Sequence, residues 1–131
     1  YLVSASLIAA LSQRLVRKIC PNCKDTYDPP HSIRRLVEKW TGQTPTFFRG
    51  IGCKKCRNTG YSGRIAVHEL FVPSDKILDM ITHAVSLKKL RSAALENGMV
   101  PLYKDGLQKV AAGITTIDEI LRVVTIDEEA V

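Results

Sequence analysis

All four cysteines of the chain stand in two pairs, Cys20 with Cys23 and Cys53 with Cys56, and both pairs have two residues between the sulfurs. Each pair places two sulfurs at the ends of a tight turn. The 29 residues between the pairs allow the chain to leave and return. Two such turns brought together form a tetrahedral four-thiolate cage, which is the ligand set of a structural zinc ion. The spacing therefore predicts that these four cysteines bind one Zn²⁺.

Two other interpretations of the cysteines stay open from the sequence. The pair at Cys20 and Cys23 resembles a thioredoxin-type redox pair, in which a helix N-terminus lowers the pKa of one thiol. No strand-helix-strand pattern surrounds it, and redox chemistry does not need a second pair. Two structural disulfides would require an oxidising compartment, and the sequence shows no secretory segment.

The composition bounds the class of protein. The chain has 131 residues, 45% of them hydrophobic and 24% charged, which is ordinary for a soluble globular protein. No apolar run approaches the roughly 18 residues of a membrane-spanning helix. The chain begins at Tyr1 rather than at methionine. We expect it to be part of a longer protein, so that an active site of that protein can lie elsewhere.

The formal net charge is +6, and zinc bound to four thiolates would lower it to about +4. Basic residues surround the cysteines: Lys18, Lys24, Lys54, Lys55 and Arg57. Their simplest role is to offset the negative charge of the thiolates. The alternative is a basic patch for nucleic acid or lipid, but the interleaved aromatic residues of single-strand binders are missing.

Apolar periodicity predicts the elements before the second cysteine pair. Apolar residues between Leu2 and Ile19 recur at steps of three and four, which predicts one amphipathic helix that ends before Pro21. A second, short helix is predicted from Ser32 as N-cap to Gly42 as its end. We expect it to pack Trp40 onto the rest of the cysteine lobe, and the metal to decide whether residues 18–57 are ordered.

The rest of the chain reads as strands followed by helices. Strands are predicted at residues 46–51 and 64–72, and helices follow from Asp75 onward. Ser86 is the predicted N-cap of one helix, and Thr116 with Glu119 forms a capping box for the last. Gly106 lies inside a helix, where close packing is the expected reason for it. The predicted fold class is α+β, mainly α: a tetracysteine zinc lobe with a short β element, packed on a small helical bundle.

The motifs, taken in order, point to one family. They are Gln13-Arg14-Leu15-Val16-Arg17, the two cysteine pairs, Thr59-Gly60-Tyr61 with Gly63-Arg64, Glu69-Leu70, Asp105-Gly106-Leu107 with Lys109-Val110, and Gly113 with Thr115-Thr116 and Glu119-Ile120-Leu121-Arg122-Val123. Their order resembles the C-terminal end of the hexameric ATPases that power type II secretion and type IV pilus assembly. The resemblance covers nearly the whole chain and is weakest between Tyr27 and Phe48.

That resemblance implies an organisation and a role. Residues 1–19 correspond to the last helix of the motor core, residues 20–61 to the tetracysteine zinc lobe, and residues 62–131 to a strand with the C-terminal helical subdomain. The parent protein would be cytoplasmic and peripheral at the inner membrane. It would contact neighbouring subunits and an inner-membrane platform protein, and hydrolyse ATP to assemble pilins or pseudopilins.

The sequence also departs from a complete motor. It contains no Gly-x-x-x-x-Gly-Lys-Ser/Thr loop to hold phosphates. ATP and Mg²⁺ are therefore expected to bind in the motor core, outside this chain. The chain alone is predicted to be non-catalytic.

Arg14 and Arg17 are the candidate nucleotide contacts, because they share a face of the predicted first helix beside the motor core. The alternative is that both are solvated or paired. The histidines at positions 31, 68 and 83 are expected to be structural, since four thiolates already complete a site.

An alternative function retains the zinc site but does not involve an ATPase. In it the chain is a stand-alone zinc-ribbon module that binds nucleic acid, supported only by the net charge and by the basic run from Lys54 to Arg57. A metal-dependent hydrolase is disfavoured, because a closed four-thiolate site leaves no position for water.

Overall fold

The computed structural model of the chain describes residues 1–124, so residues 125–131 at the end of the predicted helical subdomain lie outside the described part. Its helices are α1 (Leu2–Ser6), α2 (His31–Thr41), α3 (Asp75–Thr82), α4 (Leu87–Glu96), α5 (Leu102–Ala111) and α6 (Ile117–Val123). Its strands are β1 (Ala10–Ile19), β2 (Lys24–Tyr27), β3 (Phe47–Gly50) and β4 (Tyr61–Phe71). The predicted α+β, mainly α class is confirmed.

The first predicted helix is wrong for most of its length. Only Leu2–Ser6 is helical, and Ala10–Ile19 forms β1, which pairs antiparallel with β4 from Ala10 opposite Phe71 to Ile19 opposite Tyr61. The apolar residues here satisfy a helical period and a strand period alike, so local pattern cannot separate the two. Pairing with β4 decides, because it buries Val16 and Val67 completely.

A second, smaller sheet brings the cysteine turns together. β2 pairs antiparallel with β3, with Lys24 opposite Gly50 and Tyr27 opposite Phe47. The strand predicted at residues 46–51 is confirmed as β3. Its partner β2 was not predicted, because Lys24–Tyr27 carries no apolar alternation.

Helix α2 lies between the two cysteine turns in sequence but packs against α5 rather than against the turns. It begins at His31 with Pro30 as N-cap, two residues before the predicted N-cap Ser32, and it ends at Gly42 in the left-handed conformation, as predicted. The Trp40 ring lies 5.5 Å from the ring of Tyr103 in α5. The tryptophan therefore packs on the helical bundle, not on the cysteine lobe as expected.

The C-terminal helices have the predicted caps and packing. The Ser86 hydroxyl accepts a hydrogen bond from the Lys89 N–H, and the Thr116 hydroxyl accepts one from the Glu119 N–H. Gly106 is buried against α6, where an added Cβ would lie 2.8 Å from Cδ1 of Ile120. Its predicted role in close helix packing is confirmed.

One apolar cluster joins these elements. It is formed by Val16, Val37, Trp40, Phe47, Val67, Leu107, Val110, Ile117, Ile120 and Val124. Within residues 1–124, none of the helices has the length and apolar character needed to cross a bilayer. Val16 anchors β1 and Val67 anchors β4 in this cluster, and from there the two strands run toward the cysteine turns.

Candidate metal centre

The four cysteine sulfurs converge at one end of the β1–β4 pair. Cys20 directly follows β1, Cys23 directly precedes β2, and the turn that holds Cys53 and Cys56 lies between β3 and β4. Two backbone hydrogen bonds close the ends of these turns. The Ile51 N–H donates to the Cys23 carbonyl at 3.2 Å, and the Cys20 N–H donates to the Gly60 carbonyl at 2.9 Å.

Glycines permit the close approach of the chain behind the sulfurs. Gly60 has φ +81°, and its carbonyl oxygen would lie 2.1 Å from a Cβ added at Gly50. Any larger residue at position 50 would therefore collide with the backbone of the second cysteine turn. Asn58 and Arg57 also have positive φ, which curls that turn around Cys56.

The distances between the sulfurs fit a four-coordinate metal. All four Sγ atoms lie within 4.8 Å of one another, with Cys20 to Cys53 and Cys23 to Cys56 both at 3.8 Å. Four sulfurs at about 2.3 Å from a zinc ion lie about 3.8 Å apart in a regular tetrahedron. None of the four cysteines is in a disulfide. The residues present therefore fit a tetrahedral thiolate site.

Backbone N–H groups surround the sulfurs and favour the thiolate form. Gly52 donates to Sγ of Cys23 at 3.4 Å, and Gly60 and Cys53 donate to Sγ of Cys56 at 3.2 and 3.3 Å. Such donors act as the second shell of a thiolate site. Burial raises the pKa of the Cys56 thiol, but the Gly60 and Cys53 donors more than offset it and bring the pKa to about 6.

The other cysteines have different electrostatic surroundings. The Asn22 side chain is the main contact that lowers the pKa of Cys53. Burial raises the pKa of Cys23 to about 11, more than the Gly52 N–H can offset. Burial and the surrounding hydrogen-bond donors thus shift the pKa values of these neighbouring thiols in opposite directions.

The basic residues around the cysteines lie at the surface. Lys18, Lys24, Lys54, Lys55 and Arg57 are all exposed. The Lys24 ammonium lies 4.7 Å from the centre of the Phe48 ring. This arrangement leaves the sulfurs near positive charge without bringing a basic side chain into the cluster.

The structure separates the two arginines that the sequence grouped together. On a strand, residues three apart point to opposite faces, so Arg14 and Arg17 do not share one, and this prediction is wrong. Arg14 is exposed and donates to the Gln13 carbonyl. Arg17 pairs with the buried Glu119 carboxylate at 2.8 Å, and its guanidinium lies 4.1 Å from the centre of the Tyr61 ring.

Glu119 is the residue whose importance the sequence did not reveal. The capping-box pattern predicts that its side chain turns back to the Thr116 N–H. The Thr116 half of that box is present, but the Glu119 carboxylate instead accepts hydrogen bonds from Arg17 and Arg122. Only the opposite charge of Arg17 in the sequence hinted at this contact, across about a hundred residues of separation.

Comparison with known proteins identifies relatives along nearly the whole chain. The family model described as "Type II/IV secretion system protein" matches residues 1–122. The chain is 43% identical over 121 residues to the type IV pilus assembly ATPase PilB of Thermus thermophilus, covering 91% of this chain and 14% of that protein. It is 35% identical over 123 residues to the type II secretion system ATPase E of Vibrio cholerae, covering 94% of this chain and 24% of that protein.

A third relative is the type II secretion system protein HxcR of Pseudomonas aeruginosa, 38% identical over 123 residues, with 94% of this chain and 23% of that protein covered. The chain thus spans less than a quarter of the length of these three relatives. Their names favour the secretion and pilus assignment over the nucleic-acid alternative.

Proposed function

The chain belongs to the type II/IV secretion system protein family, and from this premise we propose that it is a non-catalytic, zinc-binding part of a hexameric ATPase that powers pilin or pseudopilin assembly. The observation that carries the proposal is the convergence of four sulfurs at tetrahedral spacing within a chain that matches the family over residues 1–122. We propose the boundaries 1–19, 20–61 and 62–131 for the end of the motor core, the zinc lobe and the C-terminal subdomain.

The proposed zinc ion is structural. Cys20, Cys23, Cys53 and Cys56 would hold it, and when bound it would supply four strong bonds between chain segments that are distant in sequence. Three of these thiols are buried and Cys53 is half-buried, so the four thiolates leave no open position for substrate. The chain's own part is to keep the sulfurs close through β2, β3 and the Gly60 backbone.

The metal assignment is tested by measuring metal content in the purified, reduced protein together with a count of reactive thiols. We expect about one zinc per chain and four thiols that react slowly until a chelator is added. A protein with no bound metal and four freely reactive thiols would reject the site.

ATP and Mg²⁺ are proposed to bind outside these 131 residues. The sequence has no phosphate-binding loop of the Gly-x-x-x-x-Gly-Lys-Ser/Thr type, and the relatives named as ATPases are more than four times longer than the matched region. The 131-residue chain, once shown by circular dichroism to be folded, is expected to have no ATP turnover. Measurable hydrolysis would contradict the proposal.

Arg14 and Arg17 remain candidates for a nucleotide contact, and the two are not equal. Arg14 is exposed on β1, and within residues 1–124 its guanidinium donates to the Gln13 carbonyl alone, which would leave its other donors available to a phosphate. Arg17 is engaged by Glu119. We therefore expect Arg14→Ala to lower ATPase activity of the full-length protein more than Arg64→Ala, an exposed control on β4. Equal activities would remove Arg14 as a candidate.

The partners follow from the same proposal. The parent ATPase would be cytoplasmic and held at the inner membrane by a platform protein, and its neighbouring subunits would complete the hexamer. A zinc lobe fixed to the motor could carry nucleotide-driven motion to that partner. Cys23→Ser in the full-length protein is expected to abolish secretion or piliation while Ser62→Ala, an exposed control, leaves it intact. Full function of the cysteine variant would dismiss this mechanical role.

A further inference from the structure

The buried polar residues of the chain are concentrated at one place. Among residues 1–124, the buried side chains that are polar or charged belong to Thr115, Thr116 and Glu119. We refer to these three residues, with the Ile114 carbonyl, as the α6 junction. Burying polar groups is unfavourable unless each finds a partner, so their partners show what the junction is built to hold.

The partners that lie outside α6 are all on the two strands that border the cysteine turns. The Thr115 hydroxyl donates to the Arg17 carbonyl at 2.7 Å, and the Ile19 N–H donates to the Ile114 carbonyl at 2.9 Å. The Thr116 hydroxyl lies 2.8 Å from the Tyr61 hydroxyl. The α6 junction is therefore hydrogen-bonded to the last residues of β1 and to the first residue of β4.

Glu119 makes the strongest of these contacts. One carboxylate oxygen accepts from Nε and a terminal nitrogen of Arg17 at 3.1 and 2.8 Å. The other accepts from the Arg17 backbone N–H at 2.8 Å and from Arg122 at 3.0 Å. Charge-assisted hydrogen bonds of this kind are shorter and stronger than neutral ones. The carboxylate thus holds both the side chain and the main chain of Arg17.

From Arg17 and Tyr61, only a few residues lead to the sulfurs. Cys20 follows Arg17 by three residues, and its N–H is bonded to the Gly60 carbonyl. Gly60 precedes Tyr61 and donates its own N–H to Sγ of Cys56 at 3.2 Å. The position of two of the four sulfurs therefore depends on strand ends that the α6 junction holds.

We propose that Glu119 is a positioning residue for the metal centre, which couples the docking of α6 to the retention of zinc. This inference rests on the proposed zinc site. Loosening the junction frees the ends of β1 and β4, so Cys20 and Cys56 leave the tetrahedral arrangement more often. Coupling between two sites is reciprocal, so loss of zinc also loosens α6.

The test measures zinc release from the full-length protein into excess colorimetric chelator. Glu119→Gln keeps the shape of the side chain but removes its charge and turns an amide NH₂ toward the donors of Arg17. We expect zinc release at least roughly fivefold faster in this variant, within the usual range of coupling between sites. Glu96→Gln, an exposed carboxylate on α4 without a described partner, is expected to match the wild type.

A second control separates positioning from simple destabilisation. Ile77→Val, in the buried core of α3, lowers overall stability without touching the junction. If this variant, at equal loss of stability, released zinc as fast as Glu119→Gln, the inference would be overturned. Arg17→Lys, which keeps the charge but replaces the two donor nitrogens of the guanidinium with one ammonium, is expected to give an intermediate rate.

A spectroscopic reading and the reciprocal measurement complete the test. Cobalt substituted for zinc reports tetrahedral thiolate geometry, and we expect its visible bands to weaken in Glu119→Gln. In the wild type, chelation is expected to speed amide exchange in α6. A wild-type protein without zinc would overturn the metal site itself, whereas a zinc-loaded protein with unchanged release in Glu119→Gln would overturn only the coupling.

Discussion

Helix α2 and the two cysteine turns that flank it belong to one stretch of chain, yet different contacts hold them. The turns have little apolar support: Ile51 is 66% exposed, and Lys54, Lys55 and Arg57 face solvent. Their contacts are the close approach of the sulfurs, the N–H groups that point at the sulfurs, and the backbone hydrogen bonds donated by Ile51 and Cys20. Structural zinc contributes on the order of 10–16 kcal/mol in small domains of this kind.

Helix α2 is held by the apolar core of the bundle. Val37 is 1% exposed and Trp40 6%, and both belong to the cluster that contains Val110 and Ile120. We therefore expect the proposed metal to be needed for the order of the turns but not for that of the helix between them. The proposed zinc ion is thus expected to order the two cysteine turns rather than the whole of residues 18–57.

Removal of the metal should show the difference most strongly. After chelation, amide exchange is expected to rise by several orders of magnitude in residues 20–24 and 50–60, because these turns lose their main source of order. Exchange in α2 should change by less than about tenfold. Hydrogen exchange read by mass spectrometry on the two segments measures this. If α2 opens together with the turns, the two regions are one unit and the comparison fails.

The substitution Trp40→Ala should have the opposite effect, destabilising α2 and leaving the cysteine turns unchanged. It empties a buried aromatic site between α2 and α5, and such truncations cost about 3–5 kcal/mol. We expect α2 to lose its exchange protection and the urea midpoint to fall, while zinc content stays at the wild-type value. Trp40→Phe is the matched control, with a smaller loss. Zinc lost from Trp40→Ala at low denaturant would show that the turns depend on α2 after all.

Acid should weaken the connection at Glu119 between α6 and the end of β1, the strand that leads into the first cysteine turn. Burial raises the pKa of this carboxyl, but hydrogen bonds from Arg17 and Arg122 lower it to about 2, against an ordinary value of 4.5. The stability it contributes is complete above pH 4.5 and is lost as the pH falls toward 2. That contribution amounts to up to about 3 kcal/mol.

The measurement is urea unfolding between pH 5.5 and 3 after chelation of any bound metal, so that release of metal by acid does not contribute. Wild type should lose stability with falling pH more steeply than Glu119→Gln, which cannot titrate at this position. Parallel curves for the two proteins would place the acid sensitivity elsewhere, for example at Asp105, whose pKa is also lowered by the His68 N–H and Lys109 despite its partial burial.

The predictable parts of the fold were those with a local chemical cause. Serine and threonine caps, the glycine stop of α2 and the packing glycine at position 106 all act on their own neighbourhood. The four cysteines were predictable as a cluster because their spacing already makes each pair a turn.

Long-range pairing was not predictable from local pattern. Strand β1 looks helical on its own, and only β4, about fifty residues away, determines its state. Strand β2 is polar and exists because β3 returns beside it. The bond between Arg17 and Glu119 likewise depends on how α6 docks, so the capping-box pattern gave Glu119 its backbone role and missed its side-chain partner.

The smallest expected effect distinguishes a helix cap that also joins its helix to β4 from a cap that does not. Thr116 caps α6 and contacts the Tyr61 hydroxyl, whereas Ser86 only caps α4. Loss of an N-cap costs about 1 kcal/mol, and the additional buried hydrogen bond adds about 1 kcal/mol for Thr116. Urea unfolding should therefore show Thr116→Ala to be about 2 kcal/mol less stable than wild type, and Ser86→Ala about 1 kcal/mol less stable. Equal losses would mean that the contact with Tyr61 adds nothing to the cap, and that the ends of β1 and β4 are held by Glu119 and Thr115 alone.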